Sequence, residues 1–166
     1  MTEDLKKFIE ETIDWIEADR WSDVAYKAES WNIDGKLRSE DLIEFWKIVR
    51  DDLNIDILTF EAVEVVPSYY FYNSDIIDIH LPERILHISR AAFTNCKSLE
   101  KVILPASLIS IGEDAFVNTS KLKKIYYNGY IEDFKRIRLD FYAFGIFNNT
   151  GKYNLKIICK DGILEI

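Results

Sequence analysis

The first third of the chain carries its apolar residues at the spacing of a helix face. Leu5, Phe8, Ile9, Thr12 and Ile16 recur every three or four positions, with Ile13 and Trp15 flanking them, and predict one amphipathic helix. Thr2 stands at the N-cap position, and Glu3 and Asp4 fall in the first turn, where the helix dipole favours negative charge. A second, shorter helix fits Trp21, Val24, Ala25 and Ala28. A third begins after Ser39, with Glu40 and Asp41 in its first turn and Leu42, Phe45, Trp46, Val49 and Leu53 on its apolar face. Three such stripes should share one small aromatic core. The tryptophans Trp15, Trp21, Trp31 and Trp46 are then core residues and not a ligand cage.

Beyond residue 57 the pattern changes to a repeat. Val66-Pro67-Ser68-Tyr69-Tyr70-Phe71 aligns with Ile88-Ser89-Arg90-Ala91-Ala92-Phe93 and with Ile111-Gly112-Glu113-Asp114-Ala115-Phe116, the Phe anchors standing 22 and 23 residues apart. Val63, Ile85 and Leu108 precede the three copies at one fixed offset. Downstream, Ile76-Ile77-Asp78-Ile79-His80-Leu81-Pro82 matches Leu99-Glu100-Lys101-Val102-Ile103-Leu104-Pro105 and Leu122-Lys123-Lys124-Ile125-Tyr126-Tyr127. A period of about 20–29 residues with this apolar spacing marks a leucine-rich architecture. Each copy supplies a short strand that points Ile79 and Leu81, Val102 and Leu104, or Ile125 and Tyr127 inward. Successive strands stack in parallel, and Phe71, Phe93 and Phe116 should form a buried ladder. Ser74, Cys96 and Thr119 share a slot three residues after each Phe, so Cys96 reads as a small ladder residue rather than a nucleophile.

The pattern Ile-Gly-x-x-Ala-Phe-x-x-Cys-x-x-Leu-x-x-Val-x-Leu-Pro resembles the BspA-like class of bacterial leucine-rich repeats, most closely at Ile111–Phe116. Ile125-Tyr126-Tyr127-Asn128-Gly129-Tyr130-Ile131-Glu132-Asp133-Phe134 looks like the terminal unit of such proteins, and Ile157-Ile158-Cys159-Lys160-Asp161-Gly162 like their closing strand and turn. The resemblance covers residues 57–166. It implies a short right-handed solenoid with parallel strands; with the acidic helical domain, 1–56, which the resemblance does not cover, the expectation is an α+β protein. About three repeats would occupy 57–129, and a C-terminal capping unit 130–166, with a helix near Ile131–Arg138, a strand near Tyr153–Cys159 and a hairpin through Asp161-Gly162. Members of the class are often large surface proteins implicated in adhesion.

Charge sharpens this division. The chain has 166 residues and a formal net charge of −8, and residues 1–60 hold 16 acids against 8 bases while residues 61–166 hold 13 of each. The imbalance belongs to the helices, and it argues against phosphate-backbone binding by them, which needs an excess of Lys and Arg. The start of the chain, Met1-Thr2-Glu3-Asp4-Leu5-Lys6-Lys7, has neither the basic start nor the apolar run of a secretory signal, and no stretch is long enough to span a membrane. A cytoplasmic location is the expectation. Cys96 and Cys159 match no metal spacing and read as reduced structural thiols.

Two surfaces are candidates for recognition. The outward positions of the predicted strands, Asp78, His80, Lys101, Ile103, Lys124 and Tyr126, form a mixed polar and aromatic strip of the kind repeat proteins use to bind. The acids Glu3, Asp4, Glu10, Glu11, Asp14, Glu17 and Asp19 form a charged helix face. A basic cluster, Lys121, Lys123, Lys124, Lys135, Arg136 and Arg138, should lie at the C-terminal end, against solvent or against the acidic helices of another copy. Residues 30–41 fit a calcium loop in part: Asn32, Asp34 and Asp41 supply oxygens and Gly35 the turn, but Arg38 sits at a ligand position and Ser30 at the first. An Asp-Gly turn between helices is the competing account. No Ser-His-acid or Cys-His spacing accompanies His80 and His87, and His87 aligns with Ser110 in a slot expected to be exposed.

The expectation is therefore a non-catalytic binding protein without cofactor. It would dock a protein partner through the helix face and the strand strip, as an inhibitor in one specific form. The partner could carry a basic nucleic-acid groove that the acidic face would occupy, as antagonists borne by phages and mobile elements do. A surface adhesin and an enzyme using His80 are the alternatives.

Overall fold

The computed structural model describes residues 1–145 and 153–166. Three helices come first: α1 (Glu3–Glu17), α2 (Trp21–Ile33) and α3 (Ser39–Lys47). Thr2 caps α1, its Oγ1 accepting from the Leu5 amide at 3.1 Å and donating to the Asp41 carboxylate at 2.7 Å. The other Asp41 oxygen accepts from the Arg38 amide at 3.1 Å, so one buried carboxylate ties the starts of α1 and α3 together. Phe8, Phe45 and Trp46 meet edge to face or tilted in the shared core, where Trp21 and Trp46 are buried and Trp15 and Trp31 pack at its margin.

The third helix departs from expectation at its end. After Lys47 it widens into a π-helical turn, Ile48–Asp52, which shifts the phase of the apolar stripe. Val49 stays buried, but Leu53 is left 52% exposed. A 3₁₀ turn, Ile57–Thr59, leads to the repeats.

From there the chain visits two sheets alternately. One holds β1 (Val65–Val66), β3 (His87–Ile88), β5 (Ser110–Ile111) and β7 (Arg138–Leu139), all parallel, in that order. The other holds β2 (Asp78–His80), β4 (Lys101–Leu104), β6 (Lys124–Tyr127) and β8 (Lys156–Cys159) in parallel, closed by the antiparallel β9 (Gly162–Glu165). A short helix α4 (Ile131–Phe134) lies between β6 and β7. This is an α+β fold of N-terminal helices followed by parallel-strand sheets.

Between the sheets the Phe ladder forms as the spacing demands. Ring centroids are 5.1 Å apart for Phe71 and Phe93 and 4.8 Å for Phe93 and Phe116, near the inter-strand distance of about 4.8 Å. Phe144 adds a fourth ring 5.6 Å from Phe116. The stretch 130–166, expected as a cap, thus first completes a fourth repeat (β7, Phe144, β8) and then closes the larger sheet with β9. The expected helix near Ile131–Arg138 is shorter than the pattern suggested: it ends at Phe134, and Arg138 already belongs to β7.

The first three repeats each turn through two left-handed residues, and the fourth shows the first of them. The first set is Tyr69, Ala91, Asp114 and Tyr142, and the second Asn73, Asn95 and Asn118. Asparagine tolerates this conformation, and here it also links neighbours: Asn118 Nδ2 donates to Asn95 Oδ1 at 2.8 Å and Asn95 Nδ2 to the Tyr72 hydroxyl at 3.2 Å. Gly112 answers a different need, because a Cβ there would stand 2.7 Å from the Arg90 amide nitrogen of the preceding repeat. Tyr70 joins the two cores, its ring 5.3 Å from Trp46 and its hydroxyl accepting from the buried Ile57 amide at 3.2 Å. Glu29 adds a polar tie, its carboxylate accepting from the amide and hydroxyl of Ser68 at 2.7 and 3.0 Å.

Candidate functional site

The five-stranded sheet brings the predicted strip together and extends it. Alternation along a strand sends Val102, Leu104, Ile125 and Tyr127 into the core and leaves Lys101, Lys124 and Tyr126 exposed, with Ile103 half-buried. Register then arranges the outward residues in two rows across the strands. In the first, Asp78 pairs with Lys101, Lys101 lies beside Lys124 one position ahead of the Val102–Ile125 pair, Lys124 pairs with Lys156, and Lys156 with Glu165. In the second, His80, Ile103, Tyr126, Ile158 and Ile163 follow one another. Lys156, Ile158, Ile163 and Glu165 were not among the sequence candidates, although the strand and hairpin bearing them were expected.

The first row is three lysines fenced by a carboxylate at each end. Lys156 reaches Glu165 at 3.8 Å, and the Lys101 ammonium lies over the Tyr126 ring at 5.5 Å. Lys124 makes no ion pair among the described residues. Like charges on adjacent strands repel, so this row is costly unless something anionic faces it. The second row is apolar apart from His80: Tyr126 is 38% and Ile163 59% exposed, and Ile158 is half-buried.

The acids of the other surface are all exposed. On α1, Glu3, Glu10, Asp14 and Glu17 share the face opposite Leu5, Phe8 and Thr12, with Asp4 and Glu11 on its flank, and Asp19 follows the helix in a left-handed turn. Two are neutralised within the chain. Lys6 bonds Glu3 at 2.7 Å and Lys27 bonds Glu11 at 2.9 Å, and both bonds hold these carboxyls below their usual range. The expected basic cluster divides. Lys121 pairs with Glu100, Lys135 with Glu132, Arg136 with Asp133 and Arg138 with Asp140, while Lys123 and Lys124 stand by the strand face.

The calcium-loop candidates do not converge on one point. Asn32 lies in α2 and its amide nitrogen donates to the Leu37 carbonyl at 2.9 Å, Asp34 caps α2 in solvent, and both Asp41 oxygens are engaged by Thr2 and Arg38. Among the described residues no group of three or more His, Cys, Asp and Glu side chains is arranged to hold a metal ion.

Ser110 corrects another expectation. It is 5% exposed, not a surface residue, because His87 covers it, with Nδ1 2.7 Å from Oγ. The two line a cleft of about 570 Å³ between α2 and the smaller sheet, with Glu29, Arg90 and Arg138. The repeat alignment of His87 with Ser110 was the available signal. Cys96 sits as a ladder residue, its Sγ donating to the Phe71 carbonyl at 3.0 Å, and burial pushes its thiol up to about 11.

A two-sheet stack with one strand per repeat in each sheet and a stacked Phe per repeat defines a leucine-rich repeat protein. A family model described as a BspA type leucine-rich repeat region of six copies matches residues 54–156, and the chain belongs to that family. Searches of the curated proteins and of the solved structures return no significant match. Among the described residues no helix is long and apolar enough to cross a membrane.

Proposed function

We propose that the protein is a non-catalytic interaction module that docks a protein partner through the outward face of its five-stranded sheet. The observation that carries this reading is the row Ile103, Tyr126, Ile158 and Ile163, an apolar and aromatic line beside charged residues on a rigid sheet. Aromatic and aliphatic anchors of this kind supply most of the binding energy in protein interfaces. Family membership supports an interaction or adhesin-type role. In the finer form of the proposal, the repeats wind as a short right-handed solenoid, the helices cover its first repeat, and the protein works in the cytoplasm without a cofactor as an inhibitor. The acidic face of α1 then serves as the second contact and competes for a basic nucleic-acid groove on the partner.

The test is affinity capture from host lysate with the full chain and with a Tyr126→Ala/Ile158→Ser variant. The reading expects one partner retained by the wild type and lost by the variant. Equal capture by both removes the strand face as the docking surface. Competition by DNA and steep weakening with salt support the charge-mimic form, and salt-insensitive binding removes it.

A further inference from the structure

The lysine row of the larger sheet and the acidic face of α1 match each other in sign, order and length, and we infer that the row binds the α1 helix of a second copy of this chain. The inference rests on reading the strand face as a docking surface. Across the strands the outward charges run Asp78, Lys101, Lys124, Lys156, one per strand. Along one face of α1, after Glu3, which is paired with Lys6, they run Lys7, Glu10, Asp14, Glu17, one per turn. The first series reads minus, plus, plus, plus, and the second plus, minus, minus, minus. Three strand steps of about 4.8 Å carry the row roughly 14 Å. The ten residues from Lys7 to Glu17 carry the helix about 15 Å. A helix lying across the strands therefore sets each of its charges opposite a strand charge without stretching either element.

Within one chain only Lys156 of the groups in the two series has an ion-pair partner among the described residues, Glu165 at 3.8 Å. Glu10, Asp14 and Glu17 make no ion pair among the described residues, nor do Lys7 and Lys124. The repulsion among three stacked lysines is relieved on contact, Asp78 takes Lys7 at one end of the row, and the Glu165 carboxylate bounds the row at the other. A helix of this length covers an area at the weak end of protein interfaces, so the contact forms at high concentration and low salt. It joins two different surfaces, so the contact builds either a closed ring or an open chain of copies.

The test is sedimentation equilibrium on the full chain at about 10 mM and about 500 mM salt, where the screening length falls from roughly 30 Å to a few ångström. The low-salt mass should rise with concentration above the 19.5 kDa monomer and return to it at high salt. Lys124→Glu/Lys156→Glu and Asp14→Lys/Glu17→Lys each put like charges face to face, and each alone should stay monomeric at low salt. Mixed in equal amounts, the two variants restore opposite charges and should regain the wild-type mass. Far-UV circular dichroism and the thermal midpoint show that both variants are folded. A wild type that stays monomeric at low salt overturns the inference, as does a single variant that associates as the wild type does or a mixture that fails to. None of these results bears on partner capture by Tyr126 and Ile158, whose failure the separate variant reads.

Discussion

Replacing Phe93 with Ala tests the aromatic ladder where it is most constrained. The ring is fully buried and lies between two others, 5.1 Å from Phe71 and 4.8 Å from Phe116. Truncating a buried Phe to Ala costs about 3–5 kcal/mol, the transfer term plus the cavity left behind. The flanking rings are held by their own repeats and cannot close the gap, so about 4 kcal/mol is the expectation here. Set against a total stability of roughly 10 kcal/mol, this removes a large share. With a urea dependence of about 2 kcal/mol per molar, the unfolding midpoint should fall by about 2 M. Phe93→Leu keeps most of the volume and should cost about 1 kcal/mol. Phe144→Ala, at the half-buried end of the stack, should cost less than the central truncation. Midpoints are to be read by far-UV circular dichroism and by tryptophan fluorescence, which comes wholly from the helical region. Both should move together, because Tyr70 packs on Trp46 and joins the two cores. A Phe93→Ala loss below about 1.5 kcal/mol, or a fluorescence midpoint that stays in place, would refute the ladder as the spine of a continuous core.

Other consequences are as direct. Gly112→Ala places a methyl against the Arg90 amide backbone, which has no flexible end to yield, and should cost about 1–3 kcal/mol in urea unfolding. Cys96 should resist a thiol reagent at pH 8 in the native protein and react once urea unfolds it, since burial raises its thiol to about 11. Its folded pKa lies above the unfolded value near 9, so the folded state holds the proton more tightly, and stability present below pH 9 is lost as pH rises toward 11. Cys96→Ala should flatten that loss, and an unchanged alkaline profile would count against the thiol's part in it.

Much of this fold is legible because the repeats state their core residues several times. The Val66, Ile88 and Ile111 positions and the three Phe anchors announce parallel stacking by their spacing alone. The fourth repeat escapes the same reading because α4 lengthens it: Phe144 follows Phe116 by 28 residues where the earlier interval is 23. Leu139-Asp140-Phe141-Tyr142-Ala143-Phe144 nevertheless repeats the corner pattern. The candidate strip was visible through Tyr126 because alternation on a strand is a local property. Its continuation into Ile158 and Ile163 depends on which strands become neighbours. The exposure of Leu53 depends on a change of helical pitch that no side-chain period reveals, and the burial of Ser110 on a hydrogen bond across repeats.

The central claim is that the strand face binds a protein, and the measurement closest to it is the dissociation constant of the captured partner for three forms of the chain. Tyr126→Ala removes an aromatic anchor from the middle of the row, whereas Tyr26→Ala removes a tyrosine that is 79% exposed on α2, away from the sheet. Titration calorimetry should show Tyr126→Ala weakening binding by about tenfold or more, as loss of an interface anchor does. Tyr26→Ala should match the wild type. Binding by Tyr126→Ala within twofold of the wild type, with both variants folded, would contradict the account.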